Sequence, residues 1–89
     1  MSDPGVSPTA EDVVAREQAW RGYALSSVKW LRERHRDQLE IEVDPTLSEA
    51  QFKALLVYMQ ALRDWPQSSD FPNSEHRPVA PSWLANQTE

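Results

Sequence analysis

The sequence predicts an all-α fold, an antiparallel helical hairpin followed by an extended Pro-rich C-terminal tail. Three observations carry that prediction. Residues 48–65 open on a capping box and keep an apolar stripe at helical spacing until Pro66 stops them. Residues 10–39 carry a longer pattern of helical period behind an N-cap candidate, Thr9. The one alternating stretch, Glu40 to Pro45, is a single short strand with nothing else in the chain to pair with. The expected division is a flexible N-terminus at 1–8, a hairpin at 9–66 with helices at about 10–39 and 48–65, and a Pro-rich tail at 67–89.

Met1 to Pro8 contains Pro, Gly and Ser and is expected to fray. Thr9 then caps the first helix, with Glu11 and Asp12 in the first turn, where carboxylates favour the helix dipole. Val13, Trp20, Ser27 and Arg34 recur at seven, flanked by the row Glu17, Ala24 and Leu31. Trp20, Tyr23, Ala24, Trp30 and Leu31 thus form a mixed aromatic stripe. Gly22 weakens the middle of this helix by about 1 kcal/mol relative to Ala, which leaves its continuity open.

Charge is segregated along the same helix. Five basic residues (Arg21, Lys29, Arg32, Arg34, Arg36) against Glu33 and Asp37 give residues 20–39 a net +3. Glu40, Glu42, Asp44 and Glu49 give residues 40–51 a net -4. The plainer reading is a solvated helix face whose basic end complements the dipole. The sharper one is a basic patch for an acidic client or nucleic acid, the second disfavoured by an acidic chain. His35, between Arg34 and Arg36, is expected to face solvent. Residues 40–45 read as an extended connection, with the alternative of an edge strand added to a partner.

In the second helix, Ser48 and Gln51 form the capping box, and Leu47 and Phe52 stand where a hydrophobic staple closes. Phe52, Leu55, Leu56, Met59 and Leu62 follow at i, i+3, i+4, i+7 and i+10. Pro66 removes an N–H and pushes Trp65 out of the α region. Beyond it Pro72, Pro78 and Pro81 forbid further helix, while Phe71, Val79, Trp83 and Leu84 are too apolar for a plain linker. Trp65, Phe71 and Trp83 serve either internal packing or client contact.

The run Tyr58-Met59-Gln60-Ala61-Leu62-Arg63-Asp64-Trp65-Pro66-Gln67, then Phe71-Pro72, then His76-Arg77-Pro78-Val79-Ala80-Pro81, resembles the C-terminal signature of small bacteriophage tail assembly chaperone proteins. Members typically read Tyr-Arg-Gln-Ala-Leu-Arg-Asp, a short apolar residue and Pro, then Phe-Pro and a Pro-x-x-Pro ending. The resemblance covers about residues 47–84. Met59 stands where the family usually has Arg, and Glu42 to Pro45 replace the family's common Ser-Asp-Trp segment. The resemblance implies a chaperone for a phage tail or tail fibre protein, working in the cytoplasm of the bacterial host. Trp65, Phe71, Arg77, Val79 and Trp83 are the residues expected to contact such a client, with Arg63 and Asp64 either orienting the helix end or locking the tail to it. Two other classes remain open: a minor structural component of the tail particle, and a small regulatory binder of a host protein.

Composition bounds the rest. A chain of 89 residues makes one domain at most and buries only about 60% of its unfolded surface, so a partner would ease its stability. A homo-oligomer is one way to do so, because the first-helix stripe is wider than one helix covers. With no Cys there is no disulfide framework, Cys-based zinc site or thiol chemistry. The net charge of -5 argues against nucleic acid as partner. No apolar run approaches the roughly 18 residues of a membrane span, and Met1-Ser2-Asp3-Pro4 is unlike a secretory leader. Catalytic, metal and cofactor-binding residues are expected to be none. His35 and His76 are far apart, the 2 Gly build no phosphate loop, and Ser26, Ser27 and Ser48 lack a nucleophile context.

Overall fold

The computed structural model describes residues 8–88; the expected flexible N-terminus at 1–8 therefore lies, Pro8 apart, outside the described residues. Among the described residues the chain is helical, with turns and no strand. Helix α1 spans Ala10–Glu40 and α2 spans Glu49–Asp64. Both open on reciprocal capping boxes. Thr9 accepts from the Asp12 N–H while the Thr9 N–H donates to the Asp12 carboxylate, and Ser48 and Gln51 do the same for α2.

Gly22 does not interrupt α1, which runs through it for 31 residues. The cost of one Gly is small beside the packing on either side of it. The end of α1 differs from the expected basic terminus. Its last turn holds no basic residue, and Arg34 and Arg36 sit further back. Termination comes from a Schellman motif: Glu42 N–H donates to the Leu39 carbonyl and Val43 N–H to the Gln38 carbonyl. The residue at the left-handed position is Glu42, with φ 61°, where Gly is favoured. Gln38 then braces the connection, its amide donating to Thr46 Oγ1 and accepting from the Thr46 N–H.

The helices pack antiparallel, as the cross-contacts show. His35 stacks on Phe52, and Arg21 reaches the carbonyl of Leu62. One core cluster joins Val28 and Leu31 to Leu47, Leu55 and Met59; a second joins Ala24 to Tyr58 and Leu62. Leu31, Leu55, Met59 and Leu62 are at most 1% exposed, each stabilising the fold by about 2 kcal/mol. Leu47 and Phe52 belong to one cluster, as a staple requires.

The buried row of α1 is Glu17, Ala24, Val28, Leu31 and His35. It is shifted from the predicted aromatic stripe. Trp20 and Trp30 flank the seam half-buried, and Tyr23 is 74% exposed. The expectation of a solvent-facing His35 is also wrong. The ring is 4% exposed and lies 3.9 Å from the Phe52 ring at 17°. Position 35 is one heptad after Val28 and four residues after Leu31, so helical geometry carries it into the seam whatever its neighbours' charge.

At 31 residues against 16, α1 is about 46 Å long and overreaches α2 by roughly 20 Å. The tail returns over that overhang. It contains three single 3-10 turns, Trp65–Gln67, Ser74–His76 and Leu84–Asn86, separated by Pro-containing segments. The expectation that Pro66 pushes Trp65 out of the α region is wrong: Trp65 keeps φ -52° and ψ -45°, because a Pro in the first turn of a helix is tolerated, and α2 passes directly into the first of these turns. Leu84 packs against both core clusters and Trp83 against the first.

Candidate partner-binding surface

Two arginines make long-range ties, one between the two helices and one from the tail to α1. Arg21, on α1, donates from Nε to the Leu62 carbonyl at 2.6 Å and from its terminal nitrogen to the Arg63 carbonyl at 3.2 Å. These carbonyls belong to the last turn of α2, where the Leu62 carbonyl also accepts from the Trp65 N–H, and a cation there meets the negative end of the dipole. Arg77, in the tail, donates from Nε to both carboxylate oxygens of Glu17, at 2.5 and 2.8 Å. Glu17 is 1% exposed, so this guanidinium is what makes a carboxylate tolerable on the seam. The same guanidinium lies 4.4 Å from the centre of the Trp20 ring, a distance that favours a cation over an aromatic face.

This latch shapes an aromatic cleft. Trp20, Tyr23 and Trp30 on α1, Tyr58 on α2, and Pro81 and Leu84 of the tail line a cavity of about 410 Å³. Burial of the Tyr58 ring pushes its hydroxyl above the usual tyrosine range, because the phenolate would lose water. An open cleft lined mainly by aromatic and aliphatic carbon, with Ser27 and Gln87 among its polar groups, suits a protein side chain or short segment. Among the described residues no group of three His, Cys, Asp or Glu side chains is placed to hold a metal.

The seven residues expected to touch a client fall into distinct environments. Trp65 is 3% exposed and meets Phe71 edge-on at 5.4 Å between ring centres, so this pair closes the end of α2 from within. Trp83 is half-buried against the core, and Arg77 is engaged by Glu17. Arg63 is exposed, and Asp64 accepts a hydrogen bond from Gln60 one turn back. Among the described residues Val79 is the most exposed of the large apolar ones, at 89%. The tail is held by Arg77 and Leu84, whereas the Arg63 carbonyl and the Asp64 carboxylate bond to α1 and α2.

Glu17 and Arg21 were not singled out from sequence as ties, although signals existed. Glu17 shares its seven-residue row with Ala24 and Leu31, and a carboxylate on a core row demands a cation. Arg21 follows from register: an antiparallel hairpin that pairs 35 with 52 brings 21 near the end of α2.

A family model for the phage tail assembly chaperone protein matches residues 14–82, a span that takes in most of α1, all of α2 and the tail through Pro81 and Ser82. No curated protein and no solved structure matches the chain. No described helix is long and apolar enough to cross a membrane. The match extends over most of the chain, well beyond the second half in which the motif lies, and the chain belongs to the phage tail assembly chaperone protein family.

Proposed function

We propose that the protein binds a phage tail or tail fibre protein during assembly, in the cytoplasm of the bacterial host, covering apolar surface until the client oligomerises. The role is one of binding without catalysis. The observation that supports it is the aromatic cleft, where Tyr23 is 74% exposed beside the half-buried Trp20 and Trp30, with Pro81 and Leu84 of the tail at its edge. Isolated apolar side chains are ordinary on a surface, but several converging on one concavity mark an interaction site. The hairpin at 9–66 acts as the rigid platform, and the Pro-rich tail at 67–89 as the arm whose Val79 and Trp83 extend the contact. Arg63 and Asp64 border that arm at the end of α2. Trp65, Phe71 and Arg77 serve the same contact indirectly, by holding the arm in place.

Co-expression with the neighbouring tail and fibre genes, followed by affinity capture and mass spectrometry, tests the proposal. One tail or fibre protein recovered in the capture and absence of the chaperone from mature particles are the expected results. Replacing Tyr23 by Ser, a change at an exposed position, should lower that capture about tenfold. Presence in the particle at fixed stoichiometry would place the chain among structural components. A host protein captured in place of any tail protein would make it a regulatory binder.

A further inference from the structure

The face of α2 turned away from the core carries Ala50, Lys53, Ala54, Val57, Ala61 and Asp64. No other element of the hairpin covers it. Val57 is 62% exposed at its centre, and with Pro78, Val79 and Pro81 this face borders an apolar groove of about 580 Å³. It is separate from the aromatic cleft, although Tyr58 and Pro81 touch both.

We propose that this face binds a second copy of the chain, α2 against α2 in antiparallel orientation. The argument is its charge arrangement. Lys53 and Asp64 are eleven residues apart, three turns and about 20°, so they lie on the same flank of the face, roughly 16 Å apart along the axis. That distance is too great for them to pair within one chain. In an antiparallel pair related by a two-fold axis, each flank meets the same flank of the other copy. With the axis midway between positions 58 and 59, Lys53 of one copy stands opposite Asp64 of the other, and the reverse pair forms by symmetry. Gln60, donating to Asp64 at 3.2 Å, orients that carboxylate along the same flank.

The apolar positions agree with this register. Val57 of each copy falls within about one residue's rise of Ala61 of the other, so the branched side chain enters the space that the alanine leaves. Ala50 and Ala54 continue the small-residue surface and allow close approach of the axes. A parallel two-fold pair would set the Lys53 and Asp64 flanks of the two copies on opposite sides of the seam, so neither charge would meet an opposite one. The interface uses α2, not the α1 stripe that the sequence suggested for self-association.

Sedimentation equilibrium of the full chain at low salt is the test, with charge reversal as its diagnostic. Wild type should dimerise at micromolar concentration. Lys53→Asp or Asp64→Lys alone should weaken the dimer about tenfold, since two attractions become two repulsions. The double variant Lys53→Asp/Asp64→Lys should recover to within about threefold of wild type. Both single changes place charge favourably for the α2 dipole, an acid nearer its start and a base at its end, so they preserve the fold. A strictly monomeric wild type, or a dimer indifferent to Val57→Glu, would overturn the proposal. Failure of the double variant to recover would overturn it as well. Val79 and Asp64 belong to both surfaces, whereas Val57 has no part in the proposed client contact and Tyr23 none in the dimer, so client capture by Val57→Glu and dimerisation of Tyr23→Ser let the client reading and the dimer fail separately.

Discussion

A single carboxylate, Glu17, decides how the tail is attached. It is 1% exposed, and its partner Arg77 keeps a third of its side chain in solvent. Removing one member of a buried pair typically costs about 3–5 kcal/mol, and the exposure of Arg77 discounts this to about 2 kcal/mol. Arg77→Ala should therefore lower stability by that amount in urea unfolding followed by circular dichroism. Glu17→Leu in the Arg77→Ala background should restore most of it, because an apolar residue on the seam leaves no charge to compensate. Two backbone positions predict the opposite sign. Gly22 sits mid-helix with open space where a Cβ would go, so Gly22→Ala should stabilise by about 0.5–1 kcal/mol. Glu42→Gly should stabilise by about 1 kcal/mol, relieving the left-handed φ of 61° and removing an acid from the negative end of α1. Differential scanning calorimetry reads both as a higher Tm.

At the level of the elements, the two helices respond to opposite ends of the pH scale. In the cap of α1, hydrogen bonds from the Thr9 backbone and side chain hold the Asp12 carboxyl below its ordinary value of 3.8. A lowered folded pKa contributes stability above the unfolded value and loses it as pH falls, so α1 should begin to fray from its start below about pH 4. Tyr58 on α2 is shifted the other way, above 10.0, by burial. Its contribution is complete below the unfolded value and is lost as pH rises through the folded one. Thermal melts should therefore fall above about pH 10, and Tyr58→Phe should flatten that limb. Element existence was legible in the sequence because both caps, the i, i+3, i+4 spacing and Pro66 are local signals. The exact burial row of α1 was less so. Trp20, Tyr23 and Trp30 outweigh Ala24 and Val28 in apolar area, so they drew the predicted stripe to the flank of the helix. His35 was misread because its charged neighbours at 34 and 36 point away from the face it occupies.

For the molecule as a whole, an unequal hairpin leaves the first turns of α1 without a helix beside them, and the tail compensates. Arg77 binds Glu17 on that overhang, and further along the tail Leu84 touches both core clusters and Trp83 the first. A chain ending at Asn73 would lose these contacts together with Arg77. It should melt well below the full chain, with a broader transition and increased binding of a hydrophobic dye. An unchanged melting curve would mean that the hairpin is self-sufficient and that the tail only decorates it. The result also bears on the proposed chaperone role, since an arm that stabilises the platform cannot be surrendered to a client without loosening it.

The sequence by itself determined the two helices, their caps, the stop at Pro66 and the motif that resembles a phage tail assembly chaperone. Each depends on residues close together in the chain, where short-range geometry and hydrogen bonding act without knowledge of the rest. Tertiary structure alone decided that Glu17 meets Arg77, that Arg21 closes the end of α2, that His35 lies on Phe52, and that Trp65 faces inward while Tyr23 and Val79 face out. Those pairings join positions some 17 to 60 residues apart, and no local preference ranks them. They are set by which surfaces remain once a long helix and a short one have packed, and by the need of the buried Glu17 carboxylate for a cation.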